Sequence, residues 1–203
     1  MNANALSRFR LVLWGLVVIA ALGATGLYAY SLMTGRLIND PNTTGFGGGT
    51  YSLIDGSGAK VDQTMFTGHP SLLFFGYTHC PDVCPTTMAE MADWFQQLGP
   101  DAKTLKAYFV TVDPERDTAS VIGDYVGWMD GKVTAITGSR EEIDKIINAW
   151  KVLGEKVGKG DDYTMNHTAS VFLVNAEGGF EGTIAYGENA DTAVAKIRKL
   201  VGA

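Results

Sequence analysis

The chain has 203 residues, 46% of them hydrophobic and 19% charged, with a formal net charge of −6. That length suffices for one domain with a buried core plus an appendage. The acidic balance and the lack of any Lys/Arg cluster argue against nucleic acid as a partner, and are compatible with a basic protein partner.

First in chain order is an uncharged run, Leu11 to Gly35, preceded by Arg8 and Arg10 and followed by Arg36. Roughly 20 apolar residues let a helix span the hydrocarbon core, whereas a cleavable signal peptide carries an apolar stretch of only about 7–15. The run therefore predicts an uncleaved transmembrane anchor at residues 11–34, although a triplet such as Ala24-Thr25-Gly26 offers a cleavage site. The amino terminus and two arginines on one side favour a cytoplasmic segment, residues 1–10, with the rest of the chain beyond the membrane. With no Arg- and Ser-rich transit segment, the expected location is a bacterial inner membrane crossed once, with the domain in the periplasm.

Residues 35–49, "GRLINDPNTTGFGGG", are polar and aperiodic and predict a linker ahead of a domain at 50–203. "TYSLIDGSGAKV" predicts two short strands around Asp55-Gly56, and the apolar run Leu72 to Tyr77 predicts a buried central strand. Met88, Met91, Ala92 and Phe95 then recur at helical spacing. A strand at Leu105 to Asp113 follows, then a helix capped by Asp117 and running to about Met129. "KVTAIT" is a further strand, and Ser139 with Glu142 forms a capping box for a helix through about Trp150. A closing hairpin, "SVFLVN" and "GTIAYG" around Glu177-Gly178-Gly179, precedes a last helix at Asp191 to Val201. The order, a hairpin and then β-α-β-α-β-α-β-β-α, predicts an α/β domain with a mixed, partly parallel sheet.

Both cysteines, Cys80 and Cys84, lie in "FFGYTHCPDVCPTT", where the expected central strand turns into the first helix. Sites in open α/β sheets concentrate at that edge, and a helix N-terminus favours the thiolate. The four-residue spacing puts both sulfurs on one face if the segment is helical. Two accessible, ionisable thiols are thus expected in preference to a structural disulfide, which would close too short a loop to stabilise much. A reversible disulfide stays open. A dithiol reductase is an alternative despite spacing that differs from Cys-x-x-Cys. "VCPTT" also looks like the peroxiredoxin run around its peroxidatic cysteine, but Pro81 stands where that family places Thr or Ser, so a peroxidase ranks lower.

His167, in "DDYTMNHTASVFLV", is the third candidate ligand. A lone histidine before a strand is commonly structural, but in a thioredoxin-like fold that loop lies beside the cysteines. Two thiolates and one imidazole suit copper, the thiolates favouring Cu(I) and the imidazole accommodating Cu(II). A closed zinc site normally wants a fourth ligand, and the chain holds no third cysteine. His79 should point away from Cys80, His69 reads as surface, Met88 as core, and Met165 as soft enough to approach copper. Asp113, at the end of "VTVD", faces the same edge and is a candidate for orienting His167 or tuning the thiols.

In this order, "FFGYTHCPDVCPTT", "VTVDPERDT" and "YTMNHTASVFLV" resemble the Sco/SenC/PrrC family, over about Thr50 to Val201. The resemblance implies a thioredoxin-like mixed sheet flanked by helices, with an added N-terminal β-hairpin and a transmembrane helix. It implies delivery of copper to the binuclear site of cytochrome c oxidase, with Cys80, Cys84 and His167 as ligands and Asp113 as the acidic residue near them. The implied partners are the oxidase's copper-site subunit, an upstream copper donor and a thiol reductant. Asn166 stands where the family usually has Asp. Because the family includes both copper chaperones and thiol–disulfide oxidoreductases acting on the oxidase's copper-site cysteines, both readings stand.

Overall fold

The computed structural model describes residues 10, 13–26, 29–30, 45–160 and 162–203. The chain divides between residues 39 and 40 into two units. In the first, the described residues 10, 13–26 and 29–30 are helical. Among the described residues no helix is long and apolar enough to cross a membrane. This overturns the transmembrane helix expected at 11–34, and with it the single-pass inner-membrane location, the cytoplasmic N-terminus and the periplasmic placement. The expectation rested on a count of uncharged residues, which measures composition and not helix. Residues 1–9, 11–12, 27–28 and 31–44, which carry the rest of the expected N-terminal segment, anchor and linker, lie outside the described residues.

The second unit opens with the expected hairpin, β1 (Ser52–Asp55) and β2 (Lys60–Asp62). Its turn is held by the Asp55 carboxylate, which accepts from Ser57 N, Ser57 Oγ and Ala59 N. β3 (Ser71–Gly76) is buried along its whole length, as a continuous apolar run requires. α1 (Val83–Leu98) buries Cys84, Met88, Met91 and Phe95 on one stripe. There follow β4 (Lys106–Thr111), α2 (Ala119–Val126), β5 (Val133–Thr137) and α3 (Arg140–Ala149). β6 (Gly154–Val157), β7 (Thr164–His167), β8 (Val171–Val174), β9 (Phe180–Ile184) and α4 (Ala190–Val201) complete the chain.

The main sheet runs β2-β1-β5-β4-β3-β8-β9. β3, β4 and β5 are parallel, and the remaining pairs are antiparallel. This is the expected thioredoxin-like mixed sheet with flanking helices. Because β3 and β4 are in parallel register, Gly76 opposite Thr111, their carboxyl ends form one edge. The chain crosses that edge at Tyr77–Asp82 and again at Val112–Thr118. Residues 45–49, from the expected linker, pack on the domain. Gly47 N donates to Ala149 O at 2.9 Å, and the Phe46 ring stacks on Phe180. Gly47 has φ +81°, and a Cβ there would meet the Trp150 indole at 2.8 Å.

Three local expectations change. β6 and β7 form a separate two-stranded ribbon that was not expected, because β6 is mostly exposed and charged and shows no alternating apolar pattern. His167 is consequently the last residue of a strand rather than part of a loop. Asp117 does not cap the second helix: Thr118 is the N-cap, its side chain accepting from Val121 N. At α3, Ser139 accepts from Glu142 N as a cap should, but the Glu142 carboxylate bonds Ser52 N and Lys145 instead of closing the box. Half of the motif thus fastens α3 to β1. Ser139→Ala is expected to cost about 1 kcal/mol and Ser139→Gly only a few tenths, read from urea unfolding midpoints.

Candidate metal centre

β3 ends at Gly76, and the turn that follows carries Cys80, whose N–H donates to Tyr77 O at 3.2 Å. Cys84 lies in the first turn of α1 and is entirely buried, while Cys80 is half-buried. Gly76 makes room for it. A Cβ there would stand 2.7 Å from Cys84 Sγ and 2.8 Å from the Phe109 ring. Cys80 Sγ accepts the Cys84 N–H at 3.4 Å, so one sulfur satisfies a free donor at the start of the helix that carries the other.

His167 comes from the opposite side, on β7. Its ring lies edge-on to Phe74 and Tyr77, with centroids at 6.0 and 5.8 Å. Nδ1 is 3.1 Å from Thr168 O. A carbonyl only accepts, so Nδ1 carries the proton and Nε2 is left as a lone pair. That nitrogen is 3.5 Å from Cys84 Sγ. The two sulfurs and one imidazole nitrogen all lie within 4.8 Å of one another. They are two soft donors and one borderline donor; Cys80 and His167 line an open cavity of ≈ 330 Å³ with Tyr77, Pro81, Asn166 and Met165 among others, and Cys84 lies buried behind them.

The electrostatics differ from the expectation of two acidified thiols. Burial pushes the Cys84 thiol well up, and this outweighs its hydrogen bond with the Tyr77 backbone, just past the end of β3. Burial also lowers the His167 pKa, which keeps the imidazole neutral. The pair is therefore unequal: one thiol at the rim, one held in protonated form beneath it.

The other expected residues divide. His79 is exposed, with Nδ1 3.0 Å from Thr78 Oγ1, and takes no part in the cluster. His69 is partly buried rather than on the surface, beside Ser71 Oγ. Met88 is core, and Met165 is buried against the cavity. Asp113 is fully buried, accepting from Tyr163 OH at 2.6 Å and from Arg116 Nε at 2.5 Å. The Arg116 guanidinium lies 3.7 Å from the Tyr163 ring centre and donates to Tyr163 O. Among the described residues no hydrogen bond joins Asp113 to His167 or to either sulfur. Asp113 instead holds Tyr163, which immediately precedes the strand bearing His167.

Sequence reasoning missed Gly76, Tyr163 and Asp117. Asp117 is fully buried, and its carboxylate accepts from Thr78 N, Thr78 Oγ1 and Thr111 Oγ1 at 3.1, 2.5 and 2.6 Å. Burial raises its pKa in spite of those bonds. Its one signal in the sequence, an acid four residues after Asp113, also fits a helix cap.

Residues 39–202 match the SCO1/SenC family. The chain belongs to that family. Over 141 residues it is 35% identical to human mitochondrial Protein SCO1 homolog, covering 66% of this chain and 46% of the relative. Over 188 residues it is 31% identical to Arabidopsis thaliana mitochondrial Protein SCO1 homolog 1, covering 86% of this chain and 56% of the relative. The chain thus spans about half the length of these SCO1 relatives. Among solved structures it is similar to Bradyrhizobium japonicum ScoI with copper bound, at 37% identity and a TM-score of 0.69, covering 75% of this chain and 98% of that one. It is also similar to Arabidopsis thaliana ScoI with copper bound, at 29% identity and a TM-score of 0.71, covering 76% and 97%.

Gly76→Ala is expected to lose about 1–3 kcal/mol in urea unfolding, because Cys84 Sγ and Phe109 must both give way. A pH series tests the histidine. Since the native His167 pKa is lowered, the unfolded chain takes up a proton first as pH falls through about 6.5, and stability drops there. His167→Gln is expected to flatten the fall between pH 7 and 5.5; an unchanged slope would exclude a buried neutral imidazole.

Proposed function

We propose that this protein is a copper chaperone that carries copper on Cys80, Cys84 and His167 and delivers it to the copper-site subunit of cytochrome c oxidase. The observation that supports this most is the convergence of two sulfurs and an unprotonated Nε2 within 4.8 Å at an open cavity. Thiolates suit Cu(I), and the neutral imidazole binds without a proton to displace. Cys84 must lose its thiol proton as copper arrives, so loading releases protons. A three-donor site with a cavity before it accepts a fourth donor from the recipient, and copper can then leave by stepwise ligand exchange. Membership of the family and the copper-bound state of the two related structures agree with this cargo.

A second reading, thiol–disulfide exchange on the recipient, is favoured by the unequal burial of the thiols. Cys80 as thiolate would attack a sulfur of the partner's disulfide, releasing one partner thiolate. Cys84 would then attack Cys80 in the mixed disulfide, leaving the partner as dithiol and this chain with a Cys80–Cys84 disulfide.

His167→Ala separates the two. Titrated anaerobically with Cu(I), the reduced wild-type protein should hold one copper per chain and transfer it to the copper-free oxidase subunit. Its cupric form should show sulfur-to-copper charge-transfer absorption. The variant should lose at least about tenfold in copper affinity, as removal of a ligand-shell group does, while keeping dithiol exchange. Copper affinity equal to wild type would reject the three-ligand reading.

A further inference from the structure

We propose that Asp117 is a positioning residue for the cysteine turn: it holds Thr78, and through it Cys80, in the place where the Cys80 sulfur meets the start of α1 beside Cys84. The inference deepens the reading of Cys80 and Cys84 as working thiols, and it does not depend on their cargo being copper.

Asp117 is itself immobilised by the sheet. Its carbonyl accepts from Thr137 Oγ1 at 2.8 Å, at the end of β5. Its Oδ2 accepts from Thr111 Oγ1 at the end of β4, and that hydroxyl in turn accepts from Asp113 N at 2.8 Å. Thr78, by contrast, lies in the turn, two residues before Cys80. It gives both its N–H and its hydroxyl to the one carboxylate. The neighbouring guanidinium of Arg116 bonds Asp113 and not Asp117. The charge of Asp117 is thus met by Thr78 and Thr111 rather than by that cation. A buried carboxyl group without an ion pair is costly to keep, and a core needing only volume would be better served by an apolar side chain. What this carboxylate adds is a fixed distance between the rigid edge of β4–β5 and a turn otherwise closed by the Cys80 N to Tyr77 O bond.

The test uses reduced and oxidised metal-free protein equilibrated in dithiothreitol redox buffers, with Asp117→Asn, Thr78→Val and Thr78→Ser beside wild type, and unfolding midpoints recorded for each. Loosening the turn lowers the effective concentration of one thiol at the other. Asp117→Asn and Thr78→Val should therefore shift the Cys80–Cys84 equilibrium about tenfold towards the dithiol, the worth of a lost charge-assisted hydrogen bond. Thr78→Ser keeps the hydroxyl and should restore the wild-type equilibrium. Folded variants that are less stable but exchange like wild type would overturn the proposal and make Asp117 a core residue only. If Asp117→Asn does not fold, Thr78→Val decides by the same criterion. Wild-type protein that takes up no copper, with the tenfold shift still present, would reject the copper cargo and leave this inference standing.

Discussion

The sulfur of Cys84 occupies space that any side chain on Gly76 would fill, and that contact couples the first turn of α1 to the last residue of β3. It can form because the two elements are joined by a turn of only six residues, 77–82, which brings the helix start back over the strand end. The parallel register of β3 and β4 then puts Thr111 beside Gly76, and Val112 N donates to Gly76 O at 2.8 Å. Everything at the site is built outward from this corner. His167 reaches Cys84 because β7 ends above it, and Cys80 reaches Cys84 N–H because the turn is tight. Moving Gly76 by a methyl group would disturb each of these relations together, not one at a time.

Two buried acids at the end of β4 support the two sides of the cluster separately. Asp113 takes Tyr163 and Arg116, and so bears on the ribbon that carries His167. Asp117, one helical turn on, takes Thr78 and bears on the turn that carries Cys80. Thr111 joins them, donating to one carboxylate and accepting from the backbone N–H of the other residue. Neither acid touches a sulfur or the imidazole. Their bonds fix geometry, low-dielectric surroundings make such satisfied networks stiff, and the charge of Asp117 adds a little to the upward shift of the Cys84 thiol.

Much of the domain is legible in the residues because its signals are redundant. β3 is an unbroken apolar run, α1 repeats its buried residues at three and four, and the turns carry Asp-Gly and Glu-Gly-Gly. The β6–β7 ribbon is not legible, since exposed "GEKV" has neither a period nor a core to face. Asp117 is misread for a chemical reason: an acid before a helix has the same local pattern whether it bonds the helix N–H groups or a threonine 39 residues away in sequence. The thiols show a competition that spacing does not reveal. A helix start favours the thiolate, and burial opposes it. At Cys84 burial wins. For the uncharged run at 11–35 composition alone pointed to a span, and among the described residues no helix is long and apolar enough to cross a membrane.

That competition bears on how a proposed cargo would leave. Three equal, exposed donors would offer a recipient no preferred side of approach. Here Cys84 is buried, while Cys80 and His167 are half-buried and both line the cavity. An incoming thiolate or imidazole would meet Cys80 and His167 before Cys84. Once Cys80 is replaced, Cys84 regains its preference for the protonated thiol, because burial penalises its charge as soon as the metal no longer compensates it. The same burial that resists loading therefore favours release. Such a site would bind the proposed cargo by shape and softness of donors, and would let go because one of those donors is poorly solvated as an anion.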